Sequence, residues 1–166
     1  MGATVNCTYH PVSKGVAGLL MLSAHAAVRL AWTALTVPRE QYVWFALRNP
    51  RVLRSTLIRF ADEGDRDGLC TPRCDGTIWL DDVTAYFDYG LAASARPNDV
   101  TFHRVPTSVC LHRYRPFTVR QIVAVAALPR GFDIVHTIRS TRAGVVLTAA
   151  SGHRLAVSLD VKFLSR

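Results

Sequence analysis

Residues 118–163, TVRQIVAVAALPRGFDIVHTIRSTRAGVVLTAASGHRLAVSLDVKF, decide how the chain is read. Thr118 is a suitable N-cap, and Val119, Ile122, Val123 and Ala126 follow at three- and four-residue spacing. That spacing lines one face of a helix, which Pro129-Arg130-Gly131 stops. Three strand-like runs come next, at 132–138, 144–149 and 155–163, with turns at 140–143 and at Ser151-Gly152. The segment therefore predicts one helix followed by a β-hairpin.

Working outward, residues 16–36 are rich in Ala and Leu and predict a helix that stops before Pro38. Pro38 suits the start of a second helix at 39–47, and Asn49-Pro50 breaks it. Val52, Leu53, Leu57, Ile58 and Phe60 give helical spacing up to Asp62. Residues 62–76, DEGDRDGLCTPRCDG, are a loop, and 77–80 a short strand. Asp81 caps a helix at 82–93, residues 94–99 form a linker, and 100–103 with 108–113 give two strands around Pro106. From residue 50 the order is helix, short strand, helix, strands, helix, hairpin, as in a winged-helix domain. The expected fold is α+β: an N-terminal arm and helical extension over 1–49, then a winged-helix-like domain with a β-hairpin wing over 50–166.

The length, 166 residues, suits one domain or a domain with an appendage, and 49% hydrophobic residues can bury a core. A mean hydropathy of +0.16 argues against a disordered chain. Net charge is +8, and 18 of the 20 basic residues are Arg, the exceptions being Lys14 and Lys162. Arginine pairs bidentately with phosphate and stacks on bases. Residues 1–60 carry a net +6, 61–99 a net −6 and 100–166 a net +8. The outer zones fit an anionic partner, nucleic acid or an acidic membrane surface. Arg113, Arg115 and Arg120 flank Tyr114 and Phe117, an interleaving that suits RNA backbone contact and base stacking. Residues 16–37 are long enough to span a bilayer, but His25 and Arg29 lie mid-segment, so a buried or amphipathic helix is read first. A membrane anchor is the second reading of that stretch. A signal peptide ending near Ala24-His25-Ala26 is the third. Four cysteines without a dense framework point to reduced thiols and an intracellular protein, cytoplasmic or nuclear.

Three segments, in order, resemble the N-terminal lobe of the NAD-dependent RNA 2′-phosphotransferase family of tRNA splicing. Ser55-Thr56-Leu57-Ile58-Arg59-Phe60 is similar to its L-S-x-x-L-R-H helix, with Phe60 in place of His. The run Asp75-Gly76-Thr77-Ile78-Trp79-Leu80-Asp81-Asp82-Val83 is similar to D-G-[YW]-V-x-[VL]-x-[DE]-L-L, with Thr77 in place of the aromatic. In the third, Thr118 to Val125 resembles T-x-[DE]-D-I-x-x-V, and Ala149 to Leu155 resembles R-A-x-Q-G-H-S-[IV], with Ser151 in place of Gln. The resemblance covers about residues 50–160. It implies that His153 and Arg59 are the catalytic-site pair that holds the RNA phosphate, with Arg154 beside them. It also implies a separate NAD-binding lobe. The sequence ends 13 residues after His153, so no cofactor is expected within these residues, and NAD only with that second lobe.

Cys70-x3-Cys74 with Cys110-x-His112 offers weak candidate zinc ligands, and His103 is a spare. Asp81 and Asp82 are better explained by helix capping than by acid–base chemistry. No P-loop, dinucleotide fingerprint or distinctively spaced Ser-His-Asp set is present. The leading expectation is a lobe that binds phosphorylated RNA without catalysing a reaction alone. Against it stand a non-enzymatic interaction protein, membrane-associated through 16–37, and a small zinc-binding regulator.

Overall fold

The computed structural model describes residues 7–9, 18–61 and 77–165. Its elements, in chain order, are β1 (Gly18–Ser23), β2 (Ala31–Val37), β3 (Tyr42–Arg48), β4 (Ser55–Ala61), β5 (Thr77–Val83), α1 (Gly90–Ser94), α2 (Asp99–Phe102), β6 (Gln121–Ala127), β7 (Val135–Ser140), β8 (Gly144–Ala149), β9 (Arg154–Ser158) and a 3₁₀ turn at Val161–Ser165. The strands form three antiparallel sheets, ordered β1-β4-β5, β2-β3-β6 and β7-β8-β9. This overturns the α+β winged-helix-like expectation and its helical extension.

Most of the corrections replace an expected helix with a strand. The stretch expected as one helix over 16–36 contains β1, a bend and β2; the helices expected at 39–47 and 50–62 contain β3 and β4. Asp81 lies within β5 opposite Leu57, not at a helix cap, and α1 covers only four residues of the region expected as helix 82–93. The strand expected at 100–103 is the short helix α2, and no strand forms at 108–113. The helix expected at 118–128 is β6, whose residues alternate between exposed and partly buried. Valine, isoleucine and threonine stiffen the backbone towards extended conformations, and a partner strand satisfies the backbone as fully as a helix does. Expected strands at 77–80 and 144–149 are present as β5 and β8.

The chain divides into two compact units. One takes residues 1–23 and 55–109, the other 24–54 and 110–166. In the first unit β4 runs between β1 and β5, pairing Met21 with Leu57 and Ile58 with Leu80. Leu57 and Phe60 are buried, and the Thr56 hydroxyl donates to Asp82 at 2.7 Å. The short helices are fastened by polar groups. Asn98 caps α2 in a reciprocal box with Thr101, and its amide also donates to Thr107 Oγ1 at 3.0 Å.

The second unit packs two three-stranded sheets. β3 is the middle strand of one, pairing Phe45 with Ala34 on β2 and with Ala124 on β6. β8 is the middle strand of the other, pairing Leu147 with Ile138 and Leu155. Period-two alternation turns Val43, Phe45 and Leu47 inward to meet Val145, Leu147 and Ala149. Each fully buried large apolar side chain contributes about 1.5–3 kcal/mol by leaving water. A bulge between Val135 and Thr137 places one extra residue, His136, on β7. The bulge lets Val135 and Ile138 both face the core although they are three positions apart. Gly144 is required at the start of β8, because a Cβ there would lie 2.1 Å from the Val157 carbonyl oxygen.

Candidate functional site

Among the described residues the second unit holds thirteen basic and three acidic side chains, a net +10, and the first holds three basic and four acidic, a net −1. The described positive charge is thus concentrated in the second unit. On the second unit Arg113, Arg115, Arg130, Arg139, Arg142 and Arg154 are exposed, and Arg120 is half-buried beside the first residue of β6. Among the described residues no carboxylate pairs with any of these seven.

Strand register places several of them. On the β7-β8-β9 sheet, Ile138, Leu147 and Leu155 face the core, so the neighbouring rows face outward. Those outward rows are Thr137–Thr148–Arg154 and Arg139–Val146–Ala156. Arg113 and Arg115 lie on the segment leading to β6. The Arg113 guanidinium sits 5.2 Å from the centre of the Tyr114 ring, and that ring is 77% exposed. An exposed aromatic with a stacked cation presents a flat surface to a nucleobase. The outer face of the other sheet differs: its row Leu35–Trp44–Val125 has no charge, and Val125 is 63% exposed.

His153 lies at the β8–β9 turn in a cluster that the sequence reading did not anticipate. Its ring Nδ1 is 3.1 Å from Ser151 Oγ. The Ser151 hydroxyl is also 3.0 Å from Asp133 Oδ1 and 3.1 Å from the Gly131 carbonyl, and the Ser151 N–H donates to the same Asp133 oxygen at 3.1 Å. The Ser151 N–H bond, helped by the hydroxyl, holds the Asp133 carboxyl below its ordinary value, against partial desolvation. The imidazole lies over Gly131: a Cβ there would come within 2.9 Å of His153 Cε1. Gly131 also has φ +80°, a conformation that favours glycine. Two features therefore set the ring's position, a bare glycine beneath it and a serine–aspartate clamp beside it.

The order of this cluster decides its chemistry. A nucleophilic relay needs histidine between the carboxylate and the hydroxyl. Here serine stands between Asp133 and His153, so the carboxylate orients the hydroxyl and the hydroxyl orients the imidazole. The arrangement suits ligand contact by the ring. Gly131 and Asp133 lie on the β6–β7 connection and Ser151 on the β8–β9 turn, so no local motif joins them. Only the register, Val135 opposite Ala149, brings Asp133 level with Ser151.

The other anticipated residues fall in separate places. Arg59 is on β4 in the first unit, with its guanidinium bound to the Asp88 carboxylate. His153, Arg154, Arg113, Arg115 and Arg120 all belong to the second unit. Cys70 and Cys74 lie outside the described residues. Cys110 is an exposed free thiol and His112 is exposed, and no group of three or more potential ligands is placed to hold a metal among the described residues. No described helix is long and apolar enough to cross a membrane; residues 18–37 form two strands and a bend. Comparison with protein-family models, curated proteins and solved structures finds no match to this chain.

Proposed function

We propose that the protein binds RNA through its second unit and performs no chemistry there by itself. His153 and Arg154 contact phosphate, while Arg113, Arg115 and Arg120 beside Tyr114 supply the flanking electrostatic and stacking surface. The observation that carries this reading is the separation of charge between the units among the described residues, +10 against −1. Guanidinium groups without carboxylate partners attract phosphodiesters and release counterions on binding. The reading keeps the phosphate contact that the 2′-phosphotransferase resemblance implies and gives up the winged-helix frame. Arg59 is left out of the phosphate contact because Asp88 already holds its guanidinium. The exposed Cys110 thiol fits a reducing, intracellular setting.

Fluorescence anisotropy with a labelled single-stranded RNA, repeated over a range of salt concentrations, tests the reading. Three to five phosphate contacts predict a log–log salt slope of about −2 to −3.5. Absence of binding at low salt, or a slope near zero, would remove the reading.

A further inference from the structure

We infer that Ser151 locks His153 in the tautomer that carries its neutral-state proton on Nδ1, so that the ring can grip phosphate only when Nε2 is also protonated. This deepens the RNA reading and rests on it for the identity of the anion.

The argument is a proton count. Ser151 has one hydroxyl proton and two acceptor-only neighbours, the Asp133 carboxylate at 3.0 Å and the Gly131 carbonyl at 3.1 Å. If that proton pointed at His153, two oxygens would face the serine oxygen with no hydrogen between them. Donation to Asp133 or Gly131 avoids this and leaves Oγ as an acceptor. The atom 3.1 Å away, His153 Nδ1, must then be the donor. In a neutral imidazole only one nitrogen carries hydrogen, so Nε2 holds a lone pair. A lone pair repels the unprotonated oxygens of a phosphodiester, whereas a protonated Nε2 donates a charge-assisted hydrogen bond to them. The charged and titratable groups on the two segments that meet here are Arg130 and Asp133 on the β6–β7 connection, and Arg154 on β9. The arginines draw phosphate to the site at any pH. The Asp133 carboxylate, acting through Ser151, holds the Nδ1 proton in place.

The test uses dimethyl phosphate, a phosphodiester with no P–OH hydrogen and constant charge, as the probe, and the ring ¹⁵N signals of His153 in the full chain as the readout. Without the diester at about pH 8, the signals should show hydrogen on Nδ1; hydrogen on Nε2 overturns the lock. With the diester, His153 should respond where its ¹⁵N signals show both ring nitrogens protonated, and not where they show a lone pair on Nε2. In Ser151→Ala the lock is gone and Nε2 can carry the proton of the neutral ring. The diester should then perturb the neutral ring too, and its apparent affinity for that form should rise about threefold to tenfold. If Ser151→Ala instead leaves the pH dependence unchanged, the lock does not govern binding and the inference fails. A Ser151→Thr control keeps the hydroxyl and should behave as the parent. RNA binding is measured separately, so loss of the RNA reading and loss of the proton lock give different results.

Discussion

In the second unit, three inward residues of β3 meet three of β8 to form an apolar core between two sheets, and most of the charge stays at the surface. In the first unit, the segment after β5 is held largely by side-chain hydrogen bonds: Asn98 to Thr107 at 3.0 Å, Thr107 to the Ser94 carbonyl at 2.7 Å, and the Tyr86 N–H to Ser94 Oγ at 3.0 Å. The difference teaches where each unit's specificity resides. An apolar core tolerates a wide choice of surface residues, so arginine can accumulate outside it. A buried polar network constrains both partners of every bond, because each lost bond leaves a desolvated group behind.

The largest effect that would break this comparison is Leu147→Ala, since Leu147 is fully buried in the second unit. We expect a loss of about 2–5 kcal/mol in urea denaturation. A loss below about 1 kcal/mol would mean that the two sheets are not joined by this core. Next is Asn98→Ala in the first unit, which removes the α2 cap and the amide bonds to Thr107 and to the Arg96 carbonyl. It should cost about 1–3 kcal/mol, and Thr107→Val should cost less in the Asn98→Ala background than alone, because the two share one bond, while still losing the donation to the Ser94 carbonyl.

The smallest effect sharpens the account at the His153 turn. The folded Asp133 carboxyl sits below its ordinary value, so it favours the folded state above the unfolded carboxyl range, near pH 4, and that benefit is lost as pH falls through the folded value. Asp133→Asn should therefore lower Tm at about pH 6, by an amount that shrinks as pH falls below the ordinary carboxyl range. Thermal melts of both proteins across that interval check the sign. A gap that widens on acidification would contradict the clamp.

Much of the β-hairpin at the C-terminal end was legible, because β8 lies between the turn residues of 140–143 and Ser151-Gly152. The remaining elements were hidden by composition. In β6, Ile122, Val123 and Ala126 fit a helical spacing and a strand equally well. The choice was made by β3, which pairs with Gln121–Ala127 although 72 residues separate Arg48 from Gln121 in sequence. Over residues 16–36, alanine and leucine favour helix locally, and distant partners overrule them: β1 pairs with β4, and β2 with β3. His153 was legible from Ser151-Gly152-His153, but its clamp was not. Asp133 reaches Ser151 through a strand register that no local spacing encodes.

The central claim is that RNA binding belongs to the basic unit, and equal charge changes placed on the two units test it most directly. Arg113→Glu with Arg154→Glu alters the second unit, and Arg96→Glu with Arg104→Glu alters exposed positions of the first. Both double variants change net charge by the same amount, so a general loss of positive charge affects them alike. RNA affinity and its salt slope would be measured for each by anisotropy. The account predicts that the second-unit variant loses at least about tenfold in affinity and that its slope falls by about one to two, while the first-unit variant stays close to the parent. Equal losses in the two variants would contradict it.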